Sequence, residues 1–239
     1  MAAIFSDQGQ YAKALEWYER VLAGREQALG PDHLHTLYTV HNMAVIFNKQ
    51  GQHSKALEWY ERALVGREKA LGADHPDTLF TVHNMALVFN NQGQYAKALQ
   101  WYERALAGQE KALGADHANT LLTVHNTAVI FHTQGQYAKA LGWYERALAG
   151  QEKAFGADHA NTLLTVHNMA SVFHNQGQYA KALEWYERAL AGKEKVLGTN
   201  HPSTQIIIGC LIDLHERIGQ AELAQSLRAR LYVPNSPSN

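Results

Sequence analysis

Apolar residues recur along this chain at helical spacing, and no stretch alternates as a strand would. Over roughly residues 35–50, Thr36, Val40, Met43, Phe47 and Gln50 follow the three- and four-residue steps that gather side chains on one helical face. This is helix A. The turn Gln50-Gly51-Gln52 ends it, because glycine reaches the backbone angles of a tight connection. Helix B then runs from about 53 to 71 and stops at Leu71-Gly72, with Gly72 as the left-handed residue past the end. In the linker Ala73-Asp74-His75-Pro76-Asp77, Asp74 or His75 can cap the next helix A and Pro76 suits its first turn. Helix B carries a wide apolar arc holding Ala56, Leu57, Trp59, Tyr60, Ala63, Leu64, Gly66, Ala70 and Leu71. One neighbour cannot cover that arc; its own helix A and that of the next unit together can. Gly66, in mid-helix beside Ala63 and Ala70, predicts a close crossing against the indole of Trp59. The opposite face, with Glu58, Glu61, Arg62, Glu68 and Lys69, reads as solvated, and Glu58 and Arg62 stand at i,i+4.

The A–B unit is copied along the chain. Trp17, Trp59, Trp101, Trp143 and Trp185 lie 42 residues apart, as do Gly9, Gly51, Gly93, Gly135, Gly177 and Gly219. Residues 94–135 and 136–177 differ at only six of 42 positions. An all-α fold follows, in which each hairpin buries its faces only by stacking on the next.

The unit GQYAKALQWYERALAGQEKALGADH, completed by TVHNMA, resembles the tetratricopeptide repeat. It is most similar to the 42-residue variety of kinesin light chains, nephrocystin-like proteins and the sensor arrays of fungal NACHT or NB-ARC signalling ATPases. Ala56, set at the family's small helix-B position, places Val40, Met43, Ala44, Phe47, Gly51, Tyr60 and Ala63 on its other signature positions. The resemblance implies a right-handed alpha-alpha superhelix, a TPR solenoid, over residues 1–232. Its expected parts are a truncated repeat 1–30, full repeats 35–72, 77–114, 119–156 and 161–198, and a degenerate capping repeat 203–232; 233–239 reads as a loose tail. The mid-helix Gly66 departs from light-chain repeats, and the near identity of the copies is closer to the fungal arrays. Met1 aligns with Met43, so the first helix A is represented by its last turns, and an upstream half-repeat with an effector or ATPase module is expected.

Composition narrows the function. With 21 Lys+Arg against 22 Asp+Glu, the chain lacks the basic footprint of phosphate-backbone binding, so no nucleic acid is expected. Cys210 is the one cysteine, which excludes an internal disulfide and fits a reducing compartment. The longest apolar run, Ile206 to Ile212, is too short to span a bilayer. A cytoplasmic protein without membrane contact is expected. No P-loop, GxSxG or HExxH motif occurs, so the segment reads as no enzyme, with no cofactor.

The candidate chemistry lies on helix A. Its core arc is Thr36, Thr39, Val40, Met43, Ala44, Ile46 and Phe47; the far side is mixed rather than polar, with Leu37, Tyr38, His41, Val45, Asn48 and Lys49. The copies keep this character in Phe80, His83, Leu87 and Asn90; in Leu122, His125, Val129 and His132; and in Leu164, His167, Ser171 and His174. In the family this side lines a concave groove for extended or helical peptides, and the resemblance implies that role here; coverage by adjacent A helices is the competing reading. The outer positions vary between copies while the core positions hold, as a surface that reads a ligand would, or one that drifts freely. Asn42, Asn84, Asn126 and Asn168 flank the face, and the resemblance implies contact with a peptide backbone; an interhelical hydrogen bond explains them equally well. Only Lys49 is basic among these outer positions, so the partner is expected to be a protein or peptide of apolar and amide character.

The recurring histidines lack the Cys or carboxylate companions of a zinc site, so no metal is expected. Their protonation would make the groove cationic in mild acid, weakening an uncharged peptide between about pH 7.5 and 5.5. The pairs Asp32-His33, Asp74-His75, Asp116-His117 and Asp158-His159 have no nucleophile in register and read as caps. Three functions stay open: a ligand-sensing or interaction scaffold within a larger signalling protein, a kinesin-light-chain-like cargo adaptor, and a self-assembling array that associates through its N-terminal edge.

Overall fold

A computed structural model describes residues 1–231 of the chain. The expected tail at 233–239 lies outside the described residues. The fold is all-α, with no strand among the described residues. Two compact units divide at Ala115/Asp116. The first holds α1 (Ala2–Asp7), α2 (Tyr11–Leu29), α3 (Leu34–Lys49), α4 (His53–Leu71), α5 (Pro76–Asn91) and α6 (Tyr95–Leu113). The second holds α7 (Ala118–Thr133), α8 (Tyr137–Phe155), α9 (Ala160–Asn175), α10 (Tyr179–Leu197), α11 (Pro202–Arg217) and α12 (Ala221–Leu231). Odd-numbered helices are A and even-numbered ones B; within each unit every helix packs on the one before it in the chain.

The punctuation follows the local chemistry. At the A–B turn Gly51 takes φ 74°, and the amides of Gly51 and Gln52 bond back to the carbonyls of Asn48 and Phe47 at 2.9 Å each, a Schellman close. At the B–A linker Gly72 has φ 93° and ψ 162°, a positive-φ extended conformation reserved for glycine rather than the left-handed helical one. The cap that follows is His75, whose Nδ1 accepts from the Asp77 amide at 3.1 Å. Asp74 instead receives the Lys111 ammonium at 2.7 Å, so the two halves of an Asp-His pair serve different helices.

Each core is built from the periodic positions. In the first unit Val40, Met43, Ala44, Phe47, Tyr60, Ala63, Val82 and Met85 close one cluster; in the second, Val166, Met169, Tyr144, Tyr186, Ile207 and Ile208 do so. Two expectations are corrected. Leu37, placed on the outer side, is 1% exposed and lies against Gly66: a Cβ on Gly66 would come within 2.6 Å of its methyls. The close crossing therefore receives a leucine from helix A, not the Trp59 indole, and Leu79 meets Gly108 in the same way. Ala70, placed within the buried arc, is exposed. The charged face of helix B is also more connected than expected: Arg62 reaches Glu26 of the preceding B helix at 2.5 Å rather than its i,i+4 neighbour. Such exposed pairs contribute at most about 1 kcal/mol each.

The glycine contact gives a two-sided test. A Cβ at Gly24 of α2 meets nothing within 4 Å, so Gly24→Ala should stabilise the chain by about 0.5–1 kcal/mol through helix propensity. Gly66→Ala gains the same propensity but must displace a buried leucine, and should cost about 1–2 kcal/mol net. Urea denaturation of the two variants should show midpoints moving in opposite directions; a shared direction would dismiss the crossing contact.

Candidate functional site

The A helices sort their expected site residues into three groups. Tyr38, Leu122 and Leu164 stand 56%, 37% and 43% exposed. Ile206, which occupies the same repeat position on α11 within the expected capping repeat 203–232, is 60% exposed and extends the row of the second unit. Phe80, also at this position, is half-buried because it stacks on His41 at 5.4 Å and His83 at 6.4 Å. Val45, Leu87, Val129 and Ser171 are half-buried beside the row.

The second group is tied down across repeats. Asn48 accepts from Asn91 at 3.2 Å, His132 meets Asn175 at 2.9 Å and His174 approaches Asp213 at 3.4 Å. Asn90 shares their register and is half-buried. Asn42 hydrogen-bonds Tyr18 of α2, and Asn126 is half-buried.

The third group is not on the surface. His41, His83 and His125 are 2%, 2% and 4% exposed, a correction to their placement on an open face. The next A helix covers His41 and His125. His41 contacts Thr81 through Nδ1 at 3.3 Å and Asn84 through Nε2 at 3.1 Å; His125 does the same with Thr165 at 2.8 Å and Asn168 at 3.2 Å. One tautomer satisfies both rings: Nδ1–H donates to the threonine hydroxyl, and Nε2 accepts from the asparagine amide. Asn84 and Asn168 thus form the interhelical hydrogen bond. Each ring also packs on the tyrosine of its own helix B, His41 on Tyr60 at 5.1 Å and His83 on Tyr102 at 5.2 Å.

Burial sets the charge of these rings. Desolvation lowers His41 to about 3, helped by the nearby Arg67 charge, and lowers His83 and His125 to about 4. His167, half-buried, falls to about 4 through desolvation and the Lys193 charge, and burial also lowers His132. The expected cationic switch in mild acid is therefore corrected for His41, His83, His125 and His167, which stay neutral through that range.

A helix-B position supplies what the sequence reading missed. Arg67, Gln109, Gln151 and Lys193 occupy one register and are 5%, 1%, 3% and 9% exposed. Arg67 donates to the Asp77 carbonyl and to Thr81 Oγ1, each at 2.8 Å, while burial lowers its guanidinium pKa. Thr165 donates to Gln151 Oε1 at 2.7 Å. The visible signal was a register inside the apolar arc that is polar in every copy. Cations therefore do approach the A–A contact, contrary to the reading from helix A alone.

Among the described residues no group of three or more His, Cys, Asp and Glu side chains could hold a metal ion, and no helix is long and apolar enough to cross a membrane. The chain is 28% identical to a Podosopora anserina protein of nearly identical TPR-like repeats, named for kinesin light chain, over 83% of this chain and 94% of that one, with a TM-score of 0.69. BtubC (BKLC) from P. vanneervenii shares the fold at 21% identity and a TM-score of 0.75, covering 97% of this chain and 95% of its own. A Rap protein complexed with competence and sporulation factor shares it at 15% identity and 0.68, covering 96% of this chain and 71% of that one. No curated protein matches the sequence. The tetratricopeptide repeat profile matches residues 1–69, 38–110, 77–153, 137–195 and 158–227, a fold that is typically a non-catalytic protein-interaction scaffold. The chain belongs to the tetratricopeptide repeat family.

Proposed function

We propose that the A-helix face of each unit captures a peptide segment of a partner protein, as the interaction or sensing part of a larger signalling polypeptide. One observation carries this reading. At a single register the chain keeps a large apolar side chain in solvent: Tyr38 in the first unit, and Leu122, Leu164 and Ile206 in the second; Tyr38, Leu122 and Leu164 each follow a leucine buried against helix B. An apolar row of this kind gains by being covered, with roughly 1.5–3 kcal/mol available for each side chain fully buried. The contact set also includes Phe80, Val45, Leu87, Val129 and Ser171 beside the row, with the amide and imidazole edges of Asn48, Asn90, His132 and His174 at its margin. His41 with Asn84 in the first unit, and His125 with Asn168 in the second, act behind this face, each pair fixing one A helix to the next, and His83 is buried against Tyr102. The Rap protein offers a precedent of the same fold solved with a partner.

A peptide library selected on the immobilised chain tests the reading. Leu122→Glu with Leu164→Glu should lower capture of the selected peptides at least tenfold while circular dichroism keeps its helical signal. Undiminished capture by that variant would remove the face from consideration. The similarity to the protein named for kinesin light chain favours, as a second reading, a cargo adaptor. A heavy-chain-binding coiled coil encoded upstream would select that reading, and a nucleotide-binding module would select the sensor.

A further inference from the structure

The outer side of helix B carries a stack of cations and rings. In α8 the Lys139 ammonium lies over the Phe131 ring at 5.4 Å, Phe131 stacks on Trp143 at 6.5 Å, and the Arg146 guanidinium lies over Trp143 at 5.6 Å. α10 repeats the arrangement with Lys181, Phe173, Trp185 and Arg188, at 5.4, 6.3 and 5.4 Å.

One position separates the two stacks. Between lysine and tryptophan the chain has Glu58, Gln100 and Glu184 in α4, α6 and α10, but Gly142 in α8. Glycine weakens a helix interior, and packing does not call for this one. Gly150, further along α8, has the Leu121 methyls against it, whereas a Cβ at Gly142 would meet nothing within 4 Å. The glycine leaves an open depression of about 260 Å³ lined by Lys139, Gly142, Trp143 and Arg146, the i, i+3, i+4 and i+7 positions of one helical face. Both charged groups of this lining are cations. Lys139 has no carboxylate partner among the described residues, while Arg146 is also engaged elsewhere. Glu145, the nearest acid along the helix, lies outside the lining. In α10 the same place holds the Glu184 side chain, which would repel an anion.

We infer that this depression takes an aryl phosphate, with the ring against the half-buried Trp143 indole and the phosphoryl oxygens accepting from Lys139 and Arg146. At pH 7 a phosphoryl group carries about two negative charges and three acceptor oxygens, which suits two cations that can only donate. The ring adds stacking that a bare phosphate ion lacks. A free aryl phosphate and a phosphotyrosine side chain of a partner share this chemistry. The inference concerns helix B and is independent of peptide capture on the A-helix face.

The chain labelled with 5-fluorotryptophan, its resonances assigned through Trp143→Phe and Trp185→Phe, is titrated with phenyl phosphate, inorganic phosphate, phenol and acetyl-Ala-phosphotyrosine-Ala-amide and followed by ¹⁹F NMR. Phenyl phosphate should move the Trp143 resonance saturably and leave Trp185 still, with a Kd about tenfold or more below that of inorganic phosphate; phenol should move neither. Gly142→Ala, whose Cβ has room and brings no charge, should keep most of the affinity. Gly142→Glu and Lys139→Gln should each lose about tenfold or more while circular dichroism keeps its helical signal. Glu184→Gly should create a second site, seen as a new saturable shift of Trp185. A phosphopeptide about tenfold tighter than phenyl phosphate would support the site and assign its ligand to a partner protein; equal or weaker binding of the peptide would support it for a free small molecule. Equal shifts at Trp143 and Trp185, undiminished binding in Gly142→Glu, or no saturable shift with phenyl phosphate would overturn the site.

Discussion

Between pH 6.5 and pH 4 the folded chain should lose on the order of 10 kcal/mol of stability and unfold, with a midpoint near pH 5. The cause is the set of buried imidazoles. His41 is held to about 3, and His83 and His125 to about 4, by desolvation, whereas in the unfolded chain each returns to about 6.5. Above pH 6.5 neither state binds these protons and the rings exert no pull on the equilibrium. Below it the unfolded state takes them up and the folded state does not, so stability falls as pH falls. By pH 4 each ring accounts for about 3 kcal/mol, and three such rings together match the margin of an ordinary domain. No salt-bridge argument predicts this, because the chain's ion pairs are largely exposed. Urea denaturation followed by circular dichroism at half-unit pH steps should show the decline. His41→Phe supplies the control: at pH 7.5 it should be less stable by about 1–3 kcal/mol, having stranded the Asn84 amide, yet its acid decline should be shallower by one ring's share. A stability profile flat from pH 7.5 to 4.5 would mean that the rings are not sealed.

The A–B alternation, the glycine turns and most of the core were legible because each is a short-range property. The three- and four-residue period fixes the core arc of α3, and Gly51 fixes its end, without reference to any other part of the chain. Leu37 and His41 were misplaced for the opposite reason. Both sit between the core arc and the open face of their own helix, and a helical wheel drawn for one helix contains neither the Gly66 of the next helix nor the Thr81 and Asn84 of the next repeat. The information was present at a longer interval: His41 precedes Thr81 and Asn84 by nearly one repeat length, and His125 precedes Thr165 and Asn168 likewise. At that interval from His167, Ile207 and Cys210 replace the threonine and asparagine of the series. The helix-B polar register was overlooked in the same way, since Arg67 taken alone resembles another solvated charge and only the series Arg67, Gln109, Gln151 and Lys193 shows polarity held at a packed position.

Leu163 and Leu164 turn this distinction into a measurement. They are consecutive and chemically identical, yet one is 2% exposed against Gly192 and the other 43% exposed on the A-helix face. Leu163→Ala removes a side chain from a site that cannot refill, because the partner across the contact is a glycine with no side chain to move in. It should cost about 3 kcal/mol of stability, and any loss of peptide capture should be recovered when the protein is assayed well below its melting temperature. Leu164→Ala should leave stability within about 0.5 kcal/mol of the original, since the lost surface was already in water. Its effect should fall on the partner instead, a loss of about 1.5 kcal/mol or roughly tenfold in Kd for a selected peptide. Calorimetric melting and peptide titration on the two variants should therefore give opposite patterns. Equal stability losses would show that Leu164 is packed after all, and an intact affinity in Leu164→Ala would move the capture face away from this row.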